Sequence, residues 1–138
     1  MRLAPLRECV RLRPDEPEVN TDFGNLRGAQ GRTGEALEYY QRALQAKPGE
    51  PSKLNNVGIA LAMLGRYSEA EPIFRSALTV DSQYSAVLHA NLGMTLFNLG
   101  RTDEARGELE HALAIDPNSA VARRGMELIQ KASQPQPQ

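Results

Sequence analysis

The sequence predicts an all-α solenoid built from antiparallel helix pairs, and three observations carry that prediction. The first is the stretch Glu69 to Leu78, whose apolar members Ala70, Ile73, Phe74, Ala77 and Leu78 recur at spacings of three and four, the period of one helix face. The second is repetition. The same set, a large knob between two alanines, stands 34 residues earlier as Ala36, Tyr40, Ala43 and Leu44, and 35 residues later as Ala105, Leu109, Ala112 and Leu113. The third is what precedes each copy: an apolar segment with one glycine inside it and another seven residues on, at its end. Self-similarity at such a period marks stacked helical units.

Taken in order, the first unit spans 17–50. Its first helix runs through Phe23, Gly24, Asn25 and Leu26 to Gly31. The second carries Ala36, Tyr40 and Ala43, and Lys47-Pro48-Gly49 stops it, since proline cannot continue a helix. The second unit, 51–85, has Val57, Gly58, Ile59, Ala60 and Leu61 ending at Gly65, then Ala70, Phe74 and Ala77, with Asp81-Ser82-Gln83 as its link. It is one residue longer than its neighbours. The third, 86–119, has Leu92, Gly93, Met94, Thr95 and Leu96 ending at Gly100, then Ala105, Leu109 and Ala112, and closes on Asp116-Pro117-Asn118. Gly31, Gly65 and Gly100 suit helix ends, where a left-handed residue is needed. Gly24, Gly58 and Gly93 do not, because a glycine inside a helix costs about 1 kcal/mol relative to alanine. Its recurrence at one register predicts a neighbouring helix packed against bare backbone.

Composition narrows the function. A formal net charge of −1 with 24% charged residues, 5% aromatics and no tryptophan offers neither the basic stripe nor the stacking platforms that nucleic acids require. A single cysteine, Cys9, excludes an internal disulfide. No apolar run approaches the roughly 18 residues of a membrane span, and the N-terminus lacks a signal-peptide core. A cytoplasmic protein with no membrane insertion is the expectation.

A glycine-containing first helix, then alanine, a large residue and alanine, then proline, at a period near 34 residues, resembles the tetratricopeptide repeat. The resemblance covers 17–119, and the middle unit matches best, through Leu54, Val57, Gly58, Leu61, Gly65, Tyr67, Ala70, Phe74 and Ala77. The first unit departs from the pattern with Arg27 in place of a large apolar residue and Asn20 in place of an aromatic. The third has His89 at that latter place and Leu109 as its knob. The resemblance implies a right-handed superhelix acting as a scaffold for protein binding. It also makes the flanks readable. Residues 1–16 hold the second helix of a partial unit (3–13, with Leu6, Cys9 and Pro14 in register) plus a link. Residues 120–133 form a capping helix with Ala122, Met126 and Ile129 inward and Asn118 as its N-cap, and 134–138 are a disordered tail.

Few residues offer chemistry. His89 reads as a packed side chain. His111 has Glu108 three residues before it, a spacing used in some metal sites, but no second such pair exists and a metal needs three or four convergent ligands. No catalytic, cofactor-binding or metal site is expected, and the chain is not expected to be an enzyme.

The concave side of a solenoid is lined by its first helices. Opposite the packing stripe of the middle one lie Asn55, Asn56, Ile59 and Met63. The matching residues are Thr21, Asp22, Asn25 and Ala29 before it, and Ala90, Asn91, Met94 and Asn98 after it. Asp22, Asn56 and Asn91 form a polar ladder, and an asparagine amide, donor and acceptor at once, can pair with any peptide backbone. Ile59, Met63, Met94 and Phe97 add apolar area. Family members that grip a C-terminal carboxylate use lysines and arginines on these faces. Thr21, Asn55, Val87, Ala90 and Asn91 stand there instead, so that mode is not expected. The expected function is a non-catalytic module holding a peptide or protein segment in the groove. The alternatives are an assembly element that self-associates through helix 3–13, whose Leu3, Leu6 and Val10 lack a partner helix, or the accessory repeat region of a larger protein.

Overall fold

The computed structural model describes residues 16–135, which comprise seven helices and no strand. They are α1 (Pro17–Ala29), α2 (Thr33–Ala46), α3 (Pro51–Met63), α4 (Tyr67–Ala77), α5 (Ser85–Asn98), α6 (Thr102–Ile115) and α7 (Ala120–Ser133). Helix 3–13, its self-association and the last three residues of the tail lie outside the described residues. Among those described, no helix is long and apolar enough to cross a membrane.

Local sequence explains where each helix starts and stops. Pro17 and Pro51 open α1 and α3, where a missing N–H costs nothing and the fixed φ is already helical. Helices α1, α3 and α5 end alike. At the first of these ends Gly31 takes φ +76°, the Gly31 N–H donates to the Gly28 carbonyl at 3.0 Å, and the Arg32 N–H donates to the Arg27 carbonyl at 2.9 Å. That is the Schellman arrangement, which satisfies orphan carbonyls and demands a left-handed residue. Gly65 and Gly100 repeat it. The arginine after each turn glycine then pairs with a glutamate in the first turn of the next helix: Arg32 with Glu35 at 2.7 Å, Arg66 with Glu69 at 2.6 Å and Arg101 with Glu104 at 2.8 Å.

Successive helices pack on one another along the chain, and α7 lies against both α5 and α6. The alanines of the stripe are sealed in these contacts: Ala43, Ala70, Ala77, Ala105 and Ala112 have no exposed surface, and Phe74 has 1%. A Cβ added to Gly24 would stand 2.6 Å from Tyr40 Cε1, one on Gly58 2.5 Å from Phe74 Cε1, and one on Gly93 2.7 Å from Leu109 Cγ. The knob of each second helix therefore rests on the bare backbone of its own first helix. Gly125 in α7 extends the device, since a Cβ there would meet Leu109 Cδ1 at 2.7 Å and Met94 Sδ at 2.9 Å.

The departures in the first unit are accommodated locally. Arg27 lays its guanidinium 4.9 Å above the Phe23 ring, so its stem and cation cover an aromatic where an aliphatic side chain is usual. Asn20 is fully buried, and its Nδ2 donates to the Glu16 carbonyl at 3.1 Å. The link between α4 and α5, Leu78 to Tyr84, is longer than the one between α2 and α3 and takes up the additional residue of the middle unit. One expectation is corrected. The N-cap of α7 is Ser119, whose Oγ accepts from the Ala122 N–H at 3.2 Å, and not Asn118. Asp116 caps the preceding turn by accepting from the Asn118 N–H at 3.0 Å, which moves the helix start one residue on.

Candidate peptide-binding groove

The groove is built on α3 and α5, with α4 behind them. A cleft of about 230 Å³ opens between these helices. Ile59 and Met63 of α3 form one wall, Asn91, Met94 and Asn98 of α5 the other, and Tyr67 and Phe74 of α4 contribute from behind. Of the groove residues expected from sequence, Ile59, Met63, Asn91, Met94 and Asn98 thus converge on one cleft. Met63 is 67% exposed, an unusual amount of apolar side chain to leave in water beside a cavity. Met94 is half-buried, held by its contact with α7 at Gly125.

The amides above the cleft are partly committed. Asn91 Nδ2 donates to Asn55 Oδ1 at 2.9 Å, a hydrogen bond between consecutive units. It orients both amides and leaves the Asn91 oxygen and the Asn55 amino group for a further partner. Asn98 Nδ2 donates back to the Met94 carbonyl at 2.8 Å. Asn25, on α1, accepts from the Tyr40 hydroxyl at 2.6 Å. Burial pushes the Tyr40 phenol above its ordinary pKa, so that hydroxyl keeps the proton it donates. Asn56 is half-buried and Asp22 exposed. Among the described residues neither makes a side-chain hydrogen bond. Neither borders the cleft.

Sequence reasoning did not place Tyr67, Phe74 or Thr95 at this cleft. Phe74 reads as scaffold because its stripe is so regular, yet its ring lies at the cleft while it rests on Gly58. Phe97, expected to add groove area, packs against the core instead.

The electrostatics confirm how the units are tied and leave the cleft itself uncharged. Arg101 bridges Glu104 of its own unit and Glu71 of the preceding one, the latter at 2.6 Å. Arg75 pairs with Glu71 at 3.0 Å and lies 3.6 Å from Glu104. The hydrogen bond from Arg101 holds the Glu104 carboxyl below the usual range. Lys53 is 7% exposed and sits 3.6 Å from Glu50 and 3.8 Å from Glu18, joining the first two units. Among the described residues, no lysine, arginine or carboxylate lines the cleft.

Comparison with known proteins places this geometry. Tetratricopeptide repeat profiles match residues 50–118 and residues 17–50. The human protein "Tetratricopeptide repeat protein 7B" is 33% identical over 76 residues, which is 55% of this chain and 9% of that protein. The chain thus spans under a tenth of that relative's length. Among solved structures, the first repeat domain of Spaghetti (RPAP3) bound to the HSP90 peptide SRMEEVD superposes with a TM-score of 0.77 at 25% identity, over 84% of this chain and 91% of that one. MamA superposes with a TM-score of 0.81 at 17% identity, over 92% of this chain and 74% of that one.

Proposed function

The chain belongs to the tetratricopeptide repeat family, and on that premise we propose that it is a non-catalytic interaction module that holds an extended peptide or protein segment along α1, α3 and α5. The observation that carries this reading is the cleft itself. Exposed Met63 and half-buried Met94 and Ile59 surround a cavity of about 230 Å³, and Asn91 and Asn98 stand at its edge. A ligand would insert an aliphatic or aromatic side chain between the methionines, whose flexible thioethers adapt to different shapes. Its backbone would pair with the free edges of Asn55, Asn56 and Asn91. Asn56 and Asp22 continue the polar ladder toward α1.

Among the described residues no cation lines the cleft, which supports an uncharged ligand. A structural neighbour is bound to the HSP90 peptide SRMEEVD. In this chain an acidic C-terminus would lose its water with no cation in the cleft to replace it, so an uncharged apolar segment fits better. Selection from a displayed peptide library on the full chain, followed by calorimetry, tests this. Enriched peptides should carry a central apolar residue, and Met63→Glu should weaken them at least tenfold while SRMEEVD binds no more tightly than a scrambled sequence. Selection of acidic C-termini, or binding indifferent to Met63→Glu, would remove the cleft from the proposal. A place as the accessory repeat region of a larger protein is compatible with this role and is favoured by the small share of its human relative that the chain spans.

A further inference from the structure

On the side of α5 away from the cleft, the fold assembles a second constellation. His89 lies about 180° around the helix from Asn91 and Asn98, given roughly 100° per residue. It faces α6, where Glu108 and His111 stand three residues apart and share a face. His89 Nδ1 and Glu108 Oε2 are 2.7 Å apart, and the His89 and His111 rings lie 4.7 Å apart at an interplanar angle of 32°. One ligating atom from each residue falls within 4.8 Å of the other two. The expectation of no metal site rested on a single helix offering only a pair. The third donor comes from the partner helix, 19 residues before Glu108.

We propose that His89, Glu108 and His111 bind one divalent transition-metal ion. Two imidazoles and a carboxylate form a donor set suited to Zn2+, Co2+, Ni2+ or Cu2+, whereas Ca2+ and Mg2+ require oxygen-rich cages. Metal–nitrogen and metal–oxygen bonds of about 2.0–2.2 Å place the donors of a tetrahedral site roughly 3.3 Å apart. His89 Nδ1 and Glu108 Oε2, now 2.7 Å apart, would have to separate slightly, and the three donors, now within 4.8 Å of one another, would have to reach that common spacing around the ion. His89 and Glu108 are 20% and 22% exposed, which limits their wandering, and His111 is exposed. The fourth position therefore opens to solvent and to any ligand that a partner brings. An ion held here would clamp α5 to α6.

The test is titration of the untagged full chain with Zn2+ by calorimetry, with Co2+ absorption and the histidine ring resonances followed in parallel. The site predicts one ion per chain, a tetrahedral Co2+ spectrum, shifts of both His89 and His111, and a higher melting temperature with Zn2+. His89→Ala and His111→Ala should each weaken binding at least tenfold and abolish the melting shift. Glu108→Gln, nearly isosteric, should weaken binding while leaving the melting temperature without metal close to that of the parent, so failure to fold is distinguishable from loss of a ligand. Cys9→Ser should change nothing. Binding weaker than millimolar, binding unaffected by His89→Ala, or binding lost in Cys9→Ser would overturn the proposal.

Discussion

The packing of a knob on bare backbone makes a sharp prediction at Gly58. Alanine there introduces a Cβ at 2.5, 2.7 and 2.9 Å from three atoms of the Phe74 ring, against an ordinary carbon–carbon contact of roughly 3.5–4.0 Å. The ring must retreat by about 1 Å, and at 1% exposure it is enclosed by the core except on the side that borders the cleft. That puts the penalty near the top of the overpacking range, about 3 kcal/mol. Replacing a helix-interior glycine by alanine returns about 1 kcal/mol, so Gly58→Ala should lose about 2 kcal/mol net. Phe74→Ala alone should lose about 3–5 kcal/mol. In the Phe74→Ala background the clash is gone, so Gly58→Ala should change sign and stabilise by up to about 1 kcal/mol, a coupling of about 3 kcal/mol. Gly107→Ala is the control. It lies inside α6 with nothing within 4 Å of the added carbon, and should stabilise by about 0.5–1 kcal/mol. Urea unfolding followed by circular dichroism measures all four variants. A neutral or stabilising Gly58→Ala in the parent chain, or strict additivity in the cycle, would refute the packing argument.

Other consequences are open to the same measurement. Pro72 sits exposed in the middle of α4, where it removes one backbone hydrogen bond; Pro72→Ala should stabilise by up to about 3 kcal/mol, and a loss of stability would contradict that. Ser119→Ala should cost about 1 kcal/mol through the lost cap on α7, with no comparable cost for Asn118→Ala. Hydrogen bonds from Arg66 and Arg101 hold Glu69 and Glu104 below their ordinary pKa of 4.5. A lowered folded-state pKa contributes stability that is complete above 4.5 and is lost as pH falls through the lower folded value. The urea midpoint should therefore fall on acidification through that window. Glu104→Gln should flatten the fall, and an unchanged acid slope in that variant would remove the pair from the explanation.

Much of the scaffold is legible in the sequence because its physical demands are local and repeated. Gly24, Gly58 and Gly93 each carry the cost of a helix-interior glycine at one register, and only a close approach explains three such costs. Gly125 was not legible by that route. It follows Gly93 by 32 residues, off the period, and owes its place to Leu109, which a periodic pattern assigns to a single unit. Arg27 reads as a defect until Phe23 is seen beneath it. The groove is legible as a face but not as a shape. Helical spacing puts Asn91, Met94 and Asn98 together, whereas Phe74 enters the lining only because the short residues of α3 let it. Spacing within one helix shows Glu108 and His111, and nothing in a linear pattern brings His89 to them.

The groove is tested most directly by methyl NMR of the full chain with its methionines and isoleucines labelled, titrated with a peptide selected on it. The chain has four methionines, and two of them, Met63 and Met94, border the cleft together with Ile59, while Met126 lies on α7 and packs against the core. Saturable shifts of Met63, Met94 and Ile59, with Met126 unmoved and affinity reduced at least tenfold by Asn56→Ala combined with Asn91→Ala, are the predicted result. Shifts centred on Met126, or affinity unchanged by the double substitution, would contradict it.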